Sequence, residues 1–251
     1  MNKLVKKIII IVGALLVVSL GILLIIKLTS PKDKGNEDKK QESKILYTFT
    51  DPLNNKINIV YKEILDEKYM GVDLSRFDDK EDELRKEIKE YVYKDSDVKA
   101  LNLSEDYNEA YDKLLRKIRG RNGSGFSLEG VKNAIVKEGI TSEAAEYVVN
   151  NANIDYNDQA LMVVYKRLET GHSKESIKNK LVDELFTEEE IGYAMNEIKD
   201  VDFYEQALAD ACYYRFYKKY DKAQAARYLR LEKFTEEENE YAVNIVYEKI
   251  K

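Results

Sequence analysis

The chain has 251 residues, 44% of them hydrophobic and 35% charged, with one His, one Cys, two Pro and no Trp. That composition excludes a disulfide framework, a Cys/His zinc site, a multi-histidine metal centre and a Pro-rich low-complexity chain. The net charge of −6 hides an asymmetry: residues 1–44 carry nine basic and four acidic side chains, whereas residues 45–251 carry 32 and 43, a balance that repels a phosphate backbone and suits a basic protein partner.

Residues 1–7 are a short basic tail with Lys3, Lys6 and Lys7, and 19 uncharged residues follow, from Ile8 to Ile26. As a helix, that run is about 28 Å long, close to a hydrocarbon core of about 30 Å. It exceeds the ~7–15 apolar residues of a secretory signal, and no A-x-A-like site comes after it. Residues 8–28 are therefore predicted to be a single transmembrane anchor. The basic tail places the N-terminus in the cytoplasm and the body outside, N-in/C-out at the cell membrane. Residues 29–44, polar and charged with Pro31 and Gly35, read as a disordered tether.

Residues 45–105 form the membrane-proximal region of this scheme. ILYTFT, DPLNN and KINIVY fit a β-hairpin with its loop at Asp51–Asn55. Equally, Asn54 to Tyr69 fits one helix with Ile57, Val60, Tyr61, Ile64 and Leu65 on a face. Asp78 to Tyr93 is more plainly helical, and the expectation for the region is mainly helix.

From residue 106 the chain repeats. SLEGVKNAIVKEGITSEAAEYVVNN from Ser127, SKESIKNKLVDELFTEEEIGYAMNE from Ser173 and DKAQAARYLRLEKFTEEENEYAVNI from Asp221 align without gaps. In each, a cap-type residue precedes a Thr (Thr141, Thr187, Thr235) by 14 positions, and a Tyr (Tyr147, Tyr193, Tyr241) follows that Thr by six. The Thr-Glu-Glu-Glu runs ending at Glu190 and Glu238 fit capping boxes. Phe186 is placed to staple against Ile191, whereas Phe234 faces Asn239, where a staple fails. Another amphipathic helix precedes each pair: Tyr107 to Arg119, Tyr156 to Glu169 and Phe203 to Lys219. Repeat 1 is residues 106–152, repeat 2 is 153–200 and repeat 3 is 201–251. Each is a helix followed by a helix-turn-helix, and such units bury their apolar faces by stacking. The predicted fold class is all-α, an N-terminal transmembrane helix followed by a tandem array of helix-turn-helix repeats.

The stretches HSKESIKNKLVDELFTEEEIGYAMN and KFTEEENEYAVN resemble the repeat of the Ltp-type host-cell-surface-exposed lipoproteins of Gram-positive bacteria and their temperate phages. The resemblance covers roughly residues 106–251. It implies an extracellular, non-enzymatic helix-turn-helix array that acts in superinfection exclusion by blocking phage DNA injection, with a basic phage tail component as partner. A predicted membrane span stands here where that family has a lipidated cysteine. Tyr107, Tyr156 and Phe203 stand where the family pattern leads one to expect Trp.

Catalytic readings are weak. Cys212 lies mid-helix in ALADACYYRF and His172 precedes a helix cap, so a nucleophile–base pair is not expected. The first-turn glutamates are explained as caps rather than as a glycosidase pair, and no D-x-D-x-D-G calcium loop occurs. The third helix of each unit opens on acids, which disfavours DNA reading. The basic run Lys113 to Arg121, with NGSG after it, reads either as a local contact site or as a solvated helix end. The expected function is that of a membrane-anchored, surface-exposed, non-catalytic interaction protein. An envelope scaffold or cell-wall binding module is the alternative, and a membrane-tethered DNA-binding protein comes third. No cofactor, metal or small-molecule substrate is expected. The partners expected are the membrane, through one span, and another protein. Tyr213, Tyr214, Tyr217 and Tyr220 are the candidate contact residues, with inter-unit packing as their alternative role.

Overall fold

The computed structural model describes residues 44–94, 104–119 and 125–251. Its first element is a sheet. Strands β1 (Ile45–Thr50), β2 (Lys56–Ile64) and β3 (Glu67–Val72) pair antiparallel in the order β1-β2-β3. Two turns set the register. In the first, the Asp51 N–H donates to the Asn55 carbonyl and the Asp51 carbonyl accepts the Asn54 N–H (both 3.0 Å), while the Asp51 carboxylate accepts the Asn55 N–H at 2.5 Å. Asn54 takes the left-handed φ of 69° that Asn tolerates. The second turn is Leu65-Asp66, both at positive φ, between the paired residues Ile64 and Glu67, as in a type I′ hairpin.

The sheet corrects the all-α expectation. Of the two readings of residues 45–69, the chain adopts the hairpin with its loop at Asp51–Asn55, and a third strand joins it. The helical reading fails because its apolar stripe is not one buried face: Ile57 and Val60 are buried, but Tyr61 is 58% and Leu65 83% exposed. Ile57 and Ile59, two residues apart and both buried, follow the strand period, and β-branched side chains suit the pleat.

A second correction concerns the membrane. Among the described residues no helix is long and apolar enough to cross a membrane. The single-pass anchor, the N-in/C-out topology and the cell-membrane localisation are thus not supported. The segment that suggested them, residues 8–28, lies outside the described residues, as do the tail 1–7 and residues 29–43 of the tether.

Helix α1 (Ser75–Lys94) follows the sheet and buries Phe77, Leu84 and Ile88. The repeats come next. Unit one holds α2 (Glu105–Arg119), α3 (Leu128–Lys137) and α4 (Ser142–Asn151). Unit two holds α5 (Tyr156–Glu169), α6 (Lys174–Asp183) and α7 (Glu188–Glu197). Unit three holds α8 (Phe203–Cys212), a π-helical turn at Tyr213–Tyr217, α9 (Lys222–Leu231), α10 (Glu236–Asn244) and a second π-helical turn at Ile245–Lys249. In every unit the first helix packs on the third. Ala110, Ala160 and Ala207 are fully buried at matching places. They put Tyr107 in register with Asn157 and Tyr204, one residue away from the alignment on Tyr156 and Phe203 expected above.

Each turn between second and third helix closes as a Schellman motif. Gly139, Leu185 and Lys233 take positive φ (94°, 65°, 66°), and the next residue's N–H reaches back to the carbonyl of Ile135, Leu181 or Leu229 at 3.1–3.3 Å. That next residue, Ile140, Phe186 or Phe234, is buried.

A polar connector joins successive units. Ser127 caps α3 by accepting the Gly130 N–H, and its hydroxyl donates to the Glu184 carbonyl at the end of α6 (2.5 Å). Ser173 caps α6 and donates to the Glu232 carbonyl at the end of α9. Two residues before each serine stands a glycine at positive φ. A Cβ on Gly125 would lie 2.0 Å from the Gln159 carbonyl of α5, and one on Gly171 would touch Ala209 and Asp210 of α8. The corresponding pair in unit three is Lys219, also at positive φ, and the exposed cap Asp221.

The N-terminal elements lie over the first helices: α1 packs on α5 and α2, and β3 packs on α8 and its π-helical turn. Ion pairs fasten the layer. Arg76 forks onto both Glu205 oxygens, and Lys166 lies 3.6 Å from the buried Glu81.

Candidate functional site

The repeat-defining residues form the frame. Thr141, Thr187 and Thr235 are N-caps, and Glu190 and Glu238 close the two capping boxes by accepting the Thr187 and Thr235 N–H groups at 2.8 Å. Phe186 and Phe234 are buried in the turns, and Ile191 is buried as a staple partner should be. Asn239, where a staple fails, is also buried, and its side-chain amide donates to the Ala226 carbonyl at 2.9 Å. Tyr147 and Tyr241 meet Tyr107 and Tyr204 edge-to-face, with ring centroids 5.1 and 5.4 Å apart. Asn157 holds the matching place in unit two, and Tyr193 is left 42% exposed.

The four candidate contact tyrosines do come together. The π-helical turn after α8 resets the side-chain spacing, so that Tyr213, Tyr214 and Tyr217 fan towards both the sheet and α9. Tyr69 of β3 lies 5.7 Å from Tyr217, which stacks on Tyr213 at 5.1 Å. Tyr214 lies against Tyr213, and it stacks on Tyr220 at 5.7 Å. Tyr220 stacks on Tyr228 at 5.0 Å. Six tyrosines thus run as one ladder from the sheet to α9, which is the packing role given as the alternative for the four candidate residues. Burial, with the neighbouring thiol and phenols, raises the Tyr69 hydroxyl to about 12, so it is a neutral donor at physiological pH. The Lys218 ammonium lies 5.3 and 5.4 Å from the Tyr213 and Tyr217 ring centroids.

Beside the ladder is a cleft of about 510 Å³, walled by β2–β3, the end of α5 and α8. Its ionisable lining is Glu63, Glu169, Asp210, Glu232, Lys62 and His172. Asp210 is only 7% exposed, and its Oδ2 has no hydrogen-bond partner. Burial pushes its carboxyl well above the usual range, Glu232 adds to the rise, and the Tyr214 hydroxyl opposes it. His172 is held low by burial and by Arg167, whose guanidinium lies 2.8 Å from its Nε2, so the imidazole is neutral. Asp210 was hidden in the sequence, although the repeat carried a signal: Val163, buried, occupies the matching place in unit two. Unit one has Lys113 at that place, so the acid is particular to unit three.

Cys212 is fully buried, and burial pushes its thiol up, which removes the thiolate a nucleophile needs. Carboxylate oxygens of Asp78, Glu81 and Glu169 lie within 4.8 Å of one another. Lys166 pairs with both Glu81 and Glu169, and Arg85 with Glu81, so this trio is an ion-pair network tying α1 to α5. Lys113 and Lys117 of the basic run are also engaged, with the carbonyl and carboxylate of Glu138; Gly120 and Arg121 lie outside the described residues.

No family model, curated protein or solved structure matches this chain. The likeness to the Ltp-type repeat therefore stands on the quoted residues alone, and the phage-exclusion role it implies has no support from any matched protein.

Proposed function

We propose that the chain is a non-catalytic protein-interaction module that engages a basic partner through the tyrosine ladder and the acidic cleft beside it. The observation that carries this reading is the ladder itself. Stacked, half-buried rings present large rigid contact area at small entropic cost, and tyrosine is enriched at interface hot spots. Excess negative charge on residues 45–251 adds long-range attraction for a basic surface. The buried thiol, the neutral His172 held by Arg167 and the cap-engaged glutamates support the non-catalytic part.

The test is fluorescence anisotropy with labelled eight-residue peptides, alternating Arg-Gly and alternating Glu-Gly, in low and high salt. The basic peptide is expected to bind, to weaken with salt and to lose about tenfold in affinity on Tyr217→Ser. Equal binding of both peptides, or of neither, refutes the reading.

A further inference from the structure

The cleft asks for a more specific occupant than a basic surface. Its floor is Asp210, a carboxyl placed where the preceding unit has valine, with one oxygen unpaired. A polar group held out of water without a partner is costly, and no packing need accounts for an acid there. Glu232 and Glu169 flank it at the mouths of two helix ends. Tyr69, Tyr213 and Tyr214 form the aromatic wall. Beside the protonated Asp210 the lining sets Glu63, Glu169 and Glu232 against the single ammonium of Lys62, with Glu169 also paired to Lys166, so its charge disfavours an anion. A bare metal ion would leave the aromatic wall unused, and about 510 Å³ lies within the ~300–1,000 Å³ typical of organic ligand clefts. The tyrosine faces already host a cation from this chain, Lys218.

We propose that the cleft is a socket for one guanidinium or alkylammonium side chain of the partner protein, which pairs with Asp210 and Glu232 while its stem lies along Tyr69 and Tyr213. Arginine is the better fit: its planar fork takes two carboxylate oxygens at once and stacks on aromatic faces. The proposal rests on the interaction reading above and names its anchor. Insertion ionises Asp210, so one proton leaves the carboxyl for solvent as the cation enters. The groups that line the cleft with Asp210, and that share the titration, are Tyr213, Tyr214 and Glu232 on the α8–α9 side, Glu169 at the end of α5 and His172 in the connector after it, and Lys62, Glu63 and Tyr69 from the sheet.

The experiment is isothermal titration of the full chain with the Arg-Gly peptide, its citrulline counterpart and free agmatine, at pH 6 in two buffers of different ionisation enthalpy. Asp210→Asn preserves the shape of the protonated acid, and so is expected to fold; Glu232→Gln is the second variant, with circular dichroism checking both. Expected are arginine binding with net proton release, about 30-fold weaker binding to Asp210→Asn, no proton release from that variant, and about tenfold loss on replacement of arginine by citrulline. Unchanged arginine binding to a folded Asp210→Asn overturns the socket but leaves the interaction module standing. Failure of the basic peptide to bind at all overturns both. Agmatine binding as tightly as the peptide overturns the partner-borne source in favour of a free amine.

Discussion

Asp202 caps α8, accepting the Tyr204 N–H at 2.9 Å, and Asn55 bridges it to Asp51 across the sheet–array boundary. Burial, then the hydrogen bond and charge of Asp51, raise the Asp202 carboxyl to about 6. An unfolded Asp titrates near 3.9. Between roughly pH 4 and 6 the folded chain therefore holds a proton that the unfolded chain has lost, and stability falls as pH rises through that window. Asp51→Asn is expected to flatten that slope and to raise stability at pH 7.5 by about 1 kcal/mol after solvent screening, read from urea midpoints across pH. Positive-φ residues behave in the opposite sense from most core changes. Leu185 and Lys233 occupy the left-handed place that glycine fills in unit one. Leu185→Gly and Lys233→Gly are each expected to stabilise by about 0.5–1 kcal/mol, whereas Gly125→Ala, which drives a methyl into a backbone carbonyl, is expected to cost about 3 kcal/mol or more. Thermal melts of the three variants check the signs.

Elements were legible where sequence chemistry is local. The caps Ser127, Thr141, Ser173, Thr187, Asp221 and Thr235 all cap as read, because a side-chain oxygen and an N–H three residues on settle the matter without tertiary help. The β2–β3 hairpin was not legible. Its turn is Leu65-Asp66 where Asn-Gly is the recognisable signal, and Ile57, Val60, Tyr61, Ile64 and Leu65 mimic a helical stripe. Leu65→Asn with Asp66→Gly is expected to stabilise the chain by about 1 kcal/mol, read as a higher urea midpoint. The cleft escaped for a related reason: its tyrosines come from π-helical and strand positions that no 3.6-residue period predicts. The same π-helical turn supplies Arg215, which donates to the Val246 and Ile250 carbonyls and lies near the Phe216 and Tyr247 rings. Arg215→Met leaves both carbonyls unpaired. It is expected to cost about 1.5–3 kcal/mol and to speed hydrogen exchange at residues 245–250 first.

In the whole molecule, the sheet and α1 serve the repeats as a common lid over their first helices, so cleft and array share one core. Their coupling is polar as well as apolar, through Arg76–Glu205, Asn55–Asp202 and Lys166–Glu81. The caps of the second helices carry the load unequally. Ser173→Ala removes a helix cap and strands the Glu232 carbonyl, an expected loss of about 2 kcal/mol; Asp221→Ala removes a cap alone, about 1 kcal/mol. Chemical denaturation of the two variants, side by side, compares the losses.

The connectors also write a rule for lengthening the chain. A serine hydroxyl has two working ends, one taking an amide hydrogen from its own helix and one giving a hydrogen to the neighbour. An aspartate has only the receiving kind. A duplicate of unit two inserted after itself would meet a donor and a small glycine at each seam, and so extend the stack in register. A duplicate of unit three in the same place would set a carboxylate against a carbonyl and a lysine against a helix backbone. Asp221 and Lys219 thus give unit three a seam chemistry unlike that of units one and two.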